Sequence, residues 1–393
     1  MDTSNNYTIF NKFYKIQKKM KKKLLFVVND IDFFYSHRKD IAEKALLDGY
    51  DVTILSNKIP VENKYFNNNI NYKKYYILRK NKFFLLEFIS FCSLFFNILK
   101  IKPDIIHLIT LKPVIYGSII SRLMNIKGVV ISFTGLGYFF TNNRNKKFFF
   151  SNYLFSKLLR IGLSNKNIFI IYQNNDDKNL ISEIIDLPNI CSTIINGSGV
   201  NLDTFNYISE NLNTLNIIMA SRLLKDKGVI EYIESAKILK TKYPNSNFYL
   251  AGKIDEDNPE SLTEKELSYF KSNSPVIFLG HKDNINKLYS NANIVVLPSY
   301  REGSPKSLIE ASSSGRAIVT TDVPGCRDVV INIQTGILVK SKNIESLTNA
   351  IDKLMNDNNL RIFLGKNGRK HAEKKFSIQL IVQKHIDIYG NLV

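Results

Sequence analysis

The sequence predicts an α/β protein built from two doubly wound, parallel-sheet domains that face a central cleft. The chain has 393 residues, which is long for one domain and suits two of roughly 180 residues each. Hydrophobic residues make up 44% of the chain and charged residues 23%, so each half can bury a core. Short β-branched runs alternate with longer segments of helical period, which is typical of parallel sheets.

Apolar runs in both halves of the chain are the predicted strands. In the first half they are Leu24–Val28, Asp51–Leu55, Ile105–Ile109, Val129–Phe133, Ile168–Tyr172 and Thr193–Ile195. In the second half they are Asn216–Ala220, Phe248–Ala251, Val276–Leu279, Ile294–Pro298, Ala317–Thr320 and Gly336–Val339. After about residue 345 the pattern is helical to the end of the chain. His107, on an apolar strand, is predicted to be a core residue with satisfied hydrogen bonds.

The domain boundary is predicted at Asn196–Val200, where glycine and asparagine permit turn geometry between a strand and a new unit. This divides the chain into four segments. They are a basic N-terminal extension (1–22), an N-terminal domain (23–197), a C-terminal domain (198–372) and a C-terminal helix (373–393) able to pack back on the N-terminal domain.

The charge of the chain points to an anionic partner. Lys and Arg number 54 against 35 Asp and Glu, a formal net charge of +19. Such an excess attracts nucleic acid, anionic lipid or phosphorylated small molecules. Since the sequence has no helix-turn-helix, zinc-finger, RRM or KH signature, we do not expect a nucleic-acid partner. The three cysteines are far apart and suggest neither a disulfide framework nor a zinc site, which suits a reducing cytoplasm.

Two segments bear on membrane contact. Only five apolar residues, Leu24–Val28, follow the basic N-terminus, which is too short for a signal peptide. The longest apolar stretch, Phe83–Leu99, is interrupted by polar residues at helical spacing and falls short of a membrane span. It predicts either a helix lying in a membrane interface or a largely buried helix, and both alternatives stay open. The Lys/Phe run at 142–150, with Lys146 and Lys147, is a further candidate for lipid contact.

The strongest chemical signal follows the predicted strand at Ile294–Pro298. Glu302 lies in the loop after this strand, and Pro305 suits the first turn of a new helix. Free amides near Ser304–Ser307 would face an anion, and Glu310 would reach a hydroxyl pair deeper in the cleft. The alternative is that Glu302 is a solvated loop acid and Glu310 merely favours the helix.

A second signal follows the first strand of the C-terminal half. Arg222 and Lys227 lie between that strand and a helix, with Gly228 next to the helix start. Two cations there would clamp a diphosphate, Arg as a fork and Lys as a point charge. The alternative is that both are surface cations of a basic protein.

Together these motifs resemble a known family. Arg222, Lys227, the two glutamates separated by seven residues, and Thr321–Val330 are similar to the retaining GT-B glycosyltransferases of family 4. Ile195–Asp203 resembles the interdomain segment of that family, and Phe278–Ile285 resembles its base-binding loop. The resemblance runs from about Lys23 onward. It implies an acceptor-binding N-terminal domain and a donor-binding C-terminal domain.

A narrower resemblance concerns the acceptor. Phe33–Arg38 and Ser132–Gly137 are similar to bacterial N-acetylgalactosaminyl- and N-acetylglucosaminyltransferases that extend undecaprenyl-diphosphate-linked sugars in capsule or O-antigen biosynthesis. This implies transfer of an N-acetylhexosamine from a UDP-sugar to a polyprenyl-diphosphate-linked or polysaccharide acceptor. The enzyme would need no cofactor and would lie on the anionic inner face of the plasma membrane.

The resemblance also implies roles for individual residues. Arg222 and Lys227 would hold the diphosphate, Glu310 the ribose, Glu302 the hydroxyls of the donor sugar, and the backbone of Gly280–His281 the base. The implied donor-binding residues are Arg222, Lys227, Gly280, His281, Glu302, Gly303, Ser304, Pro305, Ser307 and Glu310. The implied catalytic residues are Glu302, Arg222, Lys227 and His37, although a lone histidine is also compatible with a structural role. The implied acceptor- or lipid-facing residues are Ser36, His37, Thr134, Gly135, Lys146 and Lys147.

The sequence departs from the family at two positions. The first strand-to-helix loop, Asp30–His37, lacks the glycine pair that many relatives carry, and Phe133 stands where many have a histidine. Neither family role is carried over. Asp30 and Asp32 have the D-x-D form with which the other large glycosyltransferase fold binds a metal ion and a diphosphate. In that fold the motif lies well into the domain, whereas here it lies in the first loop. Asp255–Asp257 is interpreted as solvated surface, and we expect a metal-independent enzyme.

The sequence leaves two other functions open and argues against a third. A GT-B-fold sugar-nucleotide epimerase would act on the donor without an acceptor, and a non-catalytic sugar-nucleotide-binding protein would do no chemistry. Both stay open as alternatives. An NAD oxidoreductase would need a glycine-rich turn after the first strand, and Asn29–Arg38 contains no glycine.

Overall fold

The computed structural model describes residues 21–60, 67–77, 84–134, 156–164, 167–185 and 190–392. These residues form two parallel sheets, one of seven strands and one of six, each packed with helices. The predicted α/β class with two doubly wound sheets is confirmed. Every predicted strand is present, with ends that differ by at most two residues.

The first sheet has the order β3-β2-β1-β4-β5-β6-β7. Its strands are β1 Lys23–Val27, β2 Asp51–Ser56, β3 Asn71–Lys74, β4 Ile105–Ile109, β5 Gly128–Ser132, β6 Ile168–Tyr172 and β7 Cys191–Ile194. The chain runs outward from β1 to β3 and then crosses back to β4. The strand order therefore reverses between β1 and β4, which is where ligands bind in such sheets.

The helices of this part of the chain connect these strands. They are α1 Ile31–His37, α2 Lys39–Leu47, α3 Phe84–Ile101, α4 Leu111–Leu123 and α5 Asn175–Ile185, and residues 156–163 are also helical.

The second sheet repeats the pattern with the order β10-β9-β8-β11-β12-β13. Its strands are β8 Asn216–Ala220, β9 Asn247–Ala251, β10 Val276–Gly280, β11 Ile294–Leu297, β12 Ala317–Thr321 and β13 Ile337–Val339. The order reverses between β8 and β11.

The helices after β8 are α6 Val229–Lys242, α7 Glu264–Ser272, α8 Ile285–Ser290, α9 Lys306–Ser313, α10 Cys326–Val329, α11 Ile344–Asn356, α12 Asn358–Lys375 and α13 Ile378–Leu392. A short 3-10 turn, Lys225–Lys227, precedes α6. The predicted helical end of the chain is confirmed by α11, α12 and α13.

Strand β3 was not predicted. It reads Asn-Tyr-Lys-Lys, and Lys73 and Lys74 are exposed at the edge of the sheet. Because the strand has no apolar run, no hydrophobic pattern marks it. A short, charged edge strand also discourages pairing with another sheet.

The described residues fall into two compact units. One comprises those within Met1–Ser132, Leu158–Phe169 and Ile386–Val393, and the other those within Phe133–Lys157 and Ile170–His385. The predicted segment boundaries at 22, 197 and 372 stay a prediction.

His107 is a core residue of the first unit, as predicted. It is fully buried, with Nδ1 2.6 Å from the Tyr389 hydroxyl and Nε2 2.7 Å from Ser132 Oγ. Tyr389 lies on α13, so the last helix contributes a buried side chain to this core.

Within the described ranges, no helix combines the length and the apolar character that crossing a membrane requires.

Candidate functional site

The main cluster of predicted site residues lies at the carboxyl ends of β8 and β11, where the order of the second sheet reverses. The loop after β8 carries Arg222 and Lys227, and the loop after β11 carries Glu302. Parallel strands deliver both loops to the same edge of the sheet. This edge at a reversal point is the usual ligand site of a doubly wound fold.

Lys227 and Glu302 form an ion pair across the two loops. Lys227 Nζ lies 2.5 Å from Glu302 Oε1, and Ser299 Oγ donates to the same oxygen at 2.7 Å. The side chains of Lys227 and Glu302 are only 16% and 12% exposed, so solvent screens the pair weakly. The sequence predicted both residues for one site, and the structure brings their charged groups into contact.

Glycines allow the loops to approach this closely. Gly228 has φ +74°, and a Cβ there would lie 2.2 Å from the carbonyl oxygen of Pro298. Gly325, in the predicted Thr321–Val330 motif, has φ +81°, and a Cβ there would lie 2.5 Å from the carbonyl oxygen of Glu302. The amide of Glu302 donates to the carbonyl oxygen of Pro324 at 3.2 Å. The motif therefore supports the Glu302 loop directly.

Arg222 is held by a different acid. Its Nη1 lies 2.6 Å from Asp255 Oδ2, and the side chain of Asp255 is only 13% exposed. The interpretation of Asp255 as solvated surface was wrong, because the loop after β9 turns this carboxylate toward the loop after β8. Glu256 and Asp257 are exposed, as predicted.

Helix α9 begins beside the ion pair. Pro305 is its N-cap residue and is buried, like Gly303 before it, whereas Ser304 and Ser307 are partly exposed. The first amides of a helix have no partner within the helix and favour an anion. Ser304 Oγ is itself buried, and no described residue hydrogen-bonds to it.

Glu310 lies on the buried side of α9. It is 9% exposed, and Lys306 Nζ lies 3.6 Å from its Oε1. Burial raises the pKa of Glu310 to about 7, although Lys306 lowers it. A buried carboxylate with a raised pKa is typical of a functional site.

The predicted boundary segment packs against the start of α9. Gly197 and Gly199 have φ +75° and +80°, which confirms the predicted turn geometry. A Cβ on Gly197 would lie 2.7 Å from Ile309 Cδ1 and 2.9 Å from Ser304 Oγ. A side chain at this position would therefore displace the residues that open α9.

A polar cluster after β6 was not predicted from the sequence. Asp177, which is fully buried, lies 2.6 Å from Arg301 Nη2, and Asn174 Nδ2 donates to the carbonyl oxygen of Gly303 at 2.8 Å. Burial raises the pKa of Asp177, although Arg301 lowers it. The contacts hold the residues on both sides of Glu302. Seven consecutive polar residues after an apolar strand, 173–179, were the signal in the sequence.

Tyr300 was also missed, and it links the two loops. Its amide donates to the carbonyl oxygen of Asp226 at 2.8 Å, and its hydroxyl donates to Glu231 Oε1 at 2.5 Å. Lys342 Nζ lies 4.6 Å from the centre of its ring. These contacts fix the Lys227 turn against the Glu302 loop.

Gly280 is the last residue of β10 and His281 follows it, two strands from β8 in the sheet. Gly280 has φ +67°, and the exposed His281 has Nε2 3.5 Å from Asp283 Oδ1. The structure places them at the same edge of the sheet as Lys227, and their role in base binding stays a prediction.

Ser36, His37 and Thr134 are the acceptor- or lipid-facing candidates among the described residues. Ser36 Oγ is 2.6 Å from His37 Nδ1 at the end of α1, and His37 stacks on Phe33 with 4.3 Å between ring centres. Thr134 follows β5 and is partly exposed. Gly135, Lys146 and Lys147 lie outside the described residues.

Thr110 marks the reversal point of the first sheet. It follows β4 and has φ +72°, which is rare for a β-branched residue. Its Oγ1 is buried and has no hydrogen-bond partner among the described residues. Backbone strain of this kind is typical of functional positions. No pattern in the sequence predicts this backbone conformation.

No group of three or more His, Cys, Asp or Glu suited to a metal ion occurs in the described part of the chain.

Two family models match this chain. The model for glycosyl transferase 4-like proteins matches residues 23–175, and the model for glycosyl transferases group 1 matches residues 204–371. The first range contains the first six strands of the first sheet, and the second range contains the second sheet with Arg222, Lys227, Glu302 and Glu310.

Curated relatives carry related names. The chain is 37% identical over 177 residues to an N,N'-diacetylbacillosaminyl-diphospho-undecaprenol alpha-1,3-N-acetylgalactosaminyltransferase of Campylobacter jejuni (45% of each chain). It is 34% identical over 172 residues to the capsular polysaccharide biosynthesis glycosyltransferase CapM of Staphylococcus aureus (44% of this chain, 45% of the relative). A longer match, 27% identical over 318 residues, is to a UDP-Gal:alpha-D-GlcNAc-diphosphoundecaprenol alpha-1,3-galactosyltransferase of Escherichia coli (77% and 79%). The first two matches span less than half of each relative.

A solved structure shares the fold. Anabaena Alr3699/HepE, crystallised with UDP, has a TM-score of 0.73 and 15% identity, with 95% of this chain and 100% of that chain covered. At this identity the likeness shows the fold alone. The predicted GT-B fold is confirmed.

Proposed function

Since the chain belongs to the group 1 and 4-like glycosyltransferase families, we propose that it transfers a sugar from a nucleotide-diphosphate donor to a lipid-linked acceptor. The observation that carries this proposal is the Lys227–Glu302 pair at the reversal point of the second sheet. It combines a cation for the donor diphosphate and a carboxylate for the donor sugar in one partly buried site.

The donor would bind along the loops after β8 and β11. Its diphosphate carries two negative charges and would compete with Glu302 for Lys227 and with Asp255 for Arg222. The first amides of α9 would hold the same anion. Glu302, once released from Lys227, would accept hydrogen bonds from the sugar hydroxyls, while Glu310 would accept them from the ribose. Gly280 and His281 would flank the base.

Stabilisation of the leaving group would supply most of the catalysis. Negative charge grows on the diphosphate as the glycosidic bond breaks, and Lys227 and Arg222 are cations positioned to offset it. We propose front-face attack by the acceptor hydroxyl with retention of configuration, the departing phosphate taking the hydroxyl proton. His37 remains a candidate to face the reacting sugar. In this scheme the two cations do the work that a metal does elsewhere, so the reaction is metal-independent.

The relatives support a narrower donor and acceptor. The Campylobacter relative is named an N-acetylgalactosaminyltransferase acting on a diphospho-undecaprenol, and the Escherichia relative a UDP-Gal transferase with a diphosphoundecaprenol acceptor. The structure of the same fold contains UDP. We therefore propose a UDP-linked sugar, in the first place an N-acetylhexosamine, and a polyprenyl-diphosphate-linked acceptor. Such an acceptor places the enzyme at the inner face of the plasma membrane.

A donor screen tests the proposal. The full chain is incubated with UDP-GlcNAc, UDP-GalNAc, UDP-glucose, UDP-galactose or GDP-mannose, with and without a short polyprenyl-diphosphate-sugar, and the released nucleotide diphosphate is measured. Acceptor-dependent release from one donor is the expected result, and the stereochemistry of the product tests retention. Conversion of the donor without acceptor would indicate an epimerase, and tight UDP binding without turnover would indicate a binding protein.

The metal-free mechanism has its own test. Addition of EDTA to the active pair of donor and acceptor is expected to leave the rate unchanged. Complete loss of activity, restored by Mg²⁺, would overturn that part of the proposal.

A further inference from the structure

Helix α3 has an exposed apolar face. Five of its large apolar side chains are 42–69% exposed. They are Leu85, Phe88, Ile89, Phe96 and Leu99. The opposite side of the helix packs on the first unit through Leu94 and Ile98, which are at most 1% exposed. The buried-helix alternative therefore holds for one side of α3 only, because the other side is uncovered by the described residues, and the membrane-interface alternative stays a prediction.

The exposed side chains form one continuous stripe. At about 100° per residue, the five positions fall within an arc of about 100°, and Leu94 lies opposite its centre. From Leu85 to Leu99 the stripe is about 21 Å long at 1.5 Å per residue. We propose that this stripe, the α3 face, docks the protein on an anionic lipid bilayer.

The charge around the α3 face favours anionic lipid. Among the described residues, four lysines lie on α3 or on the chain that flanks it: Lys73, Lys74, Lys100 and Lys102. The acidic residues of α3 and of the described chain that flanks it are Glu87 and Asp104. Each forms an ion pair with a lysine outside this group of four. Lys112 Nζ lies 2.6 Å from Glu87, and Lys127 Nζ lies 3.3 Å from Asp104. The local charge is therefore positive, as binding to anionic headgroups requires.

Two further features extend the α3 face. Tyr76 is 39% exposed, and its amide donates to Ser93 Oγ at 2.9 Å, which places a tyrosine beside the stripe, as in membrane interfaces. A cavity of about 330 Å³ lies at the Leu99 end and is lined in part by Met124, Lys102 and Lys127. An apolar surface that ends between two lysines suits the boundary between acyl chains and headgroups.

The proposed role of the α3 face rests on the proposed function, because an enzyme with a lipid-linked acceptor must stay at the bilayer. Its test is independent of sugar transfer. Failure of the donor screen would leave vesicle binding intact, whereas failure of vesicle binding would leave transfer to a water-soluble acceptor intact.

Vesicle co-sedimentation tests the α3 face. The full chain is mixed with vesicles of phosphatidylcholine, or of phosphatidylcholine with 30% phosphatidylglycerol. The double variant Phe88→Gln, Phe96→Gln is compared with the control Ile238→Gln, Phe363→Gln. The control positions are on α6 and α12 and are 53% and 52% exposed, close to the 57% of Phe88 and Phe96.

Wild type and control are expected to bind vesicles containing phosphatidylglycerol, and the α3 double variant is expected to bind at least roughly tenfold more weakly. All four substitutions are on exposed side chains, and equal thermal unfolding of the variants confirms that the fold is unaffected. Equal binding by the two double variants would overturn the proposal. So would a dimer that the α3 variant alone dissociates, since the face would then bind a second copy of the chain.

Discussion

At the residue scale, Lys227 is the side chain on which the proposed chemistry depends most. Lys227→Ala removes the cation next to the departing diphosphate and leaves Glu302 without its cationic partner. We expect kcat/KM for the donor to fall by roughly 10²- to 10³-fold. Steady-state kinetics on the donor identified by the screen measures this.

Lys225→Ala is the matched control. Lys225 lies in the same short turn and pairs with Glu266 at 2.7 Å, but both side chains are more than a third exposed. An exposed pair of this kind contributes little to stability. We expect its kinetics to equal those of wild type. Equal losses in the two variants would mean that the turn as a whole, rather than Lys227, supports activity.

Glu310 is expected to link activity to pH. Its pKa of about 7 lies above the ordinary carboxyl value of 4.5, so folding favours the protonated form. The resulting stability is present below the ordinary value and is lost as pH rises through about 7. Glu310→Gln keeps a neutral side chain, so at pH 8 it should have a higher Tm than wild type. It should also have a higher donor KM, because the Glu310 carboxylate that accepts hydrogen bonds from the donor ribose is absent.

Thermal unfolding and donor KM at pH 5 and pH 8 test this expectation. For wild type, donor KM should fall as Glu310 ionises between these values, and for Glu310→Gln it should stay constant. Glu264→Gln, on an exposed position of α7, is the control and should change neither quantity. A Glu310→Gln protein with lower Tm at pH 8 would show that the carboxylate has a structural role instead.

Thr110 is expected to act on the acceptor side. Its buried Oγ1 has no described partner, so a bound substrate hydroxyl or phosphate would supply one. Thr110→Val should raise acceptor KM by roughly tenfold and leave donor KM unchanged, whereas Thr110→Ser should retain most of the activity. Equal kinetics for Val and Ser would rule out a role for the hydroxyl.

The sequence predicted which residues lie together at this site, but not which of them form ion pairs with one another. Lys227 and Glu302 follow strands that parallel topology brings side by side, so their proximity was predictable. The pairing of Arg222 with Asp255 was not, because it depends on the path of a polar loop with no pattern. Asp177 and Arg301 are 124 residues apart in the sequence, and no local rule connects them.

At the scale of elements, the strands were predictable for a physical reason. Central strands of a parallel sheet are covered on both sides, so β4 and β5 are buried at every position and are largely apolar. The exposed edge strand β3 has no such requirement and was missed. For α3, the periodicity of polar residues indicated two unlike sides, but only the fold shows which side is covered.

The junction of the turn before α6 with the loop after β11 depends on one glycine. Gly228→Ala adds a Cβ in a left-handed conformation and also places it 2.2 Å from the Pro298 carbonyl oxygen. Gly49→Ala has only the cost of the left-handed backbone, since Gly49 has φ +91° and nothing lies within 4 Å of its Cβ. A left-handed backbone costs a residue with a Cβ about 1–2 kcal/mol of stability.

We therefore expect a small fall in Tm and normal kinetics for Gly49→Ala. For Gly228→Ala we expect a larger fall in Tm and a loss of kcat/KM, because Lys227 moves away from Glu302. Differential scanning calorimetry and donor kinetics measure both. Equal effects of the two substitutions would mean that the close approach of the loops is not required.

At the scale of the whole molecule, the net charge of +19 and the α3 face are expected to act together on a membrane. The basic tail, residues 1–20, lies outside the described residues and carries four lysines against one aspartate. Attraction by cations is screened by salt, since the Debye length falls from about 10 Å at 0.1 M to about 3 Å at 1 M. Burial of apolar side chains is not screened.

Deletion of residues 1–20 should therefore reduce binding to vesicles with 30% phosphatidylglycerol at 0.1 M NaCl and have little effect at 1 M NaCl. The α3 double variant should bind more weakly at both salt concentrations, because it lacks the apolar contact. Co-sedimentation of wild type, the deletion, and the deletion combined with the α3 variant measures the two contributions separately. Unchanged binding of the deletion at low salt would reject the anchoring role of the tail. A loss of equal size at both salt concentrations would instead assign the tail an apolar contact with the membrane.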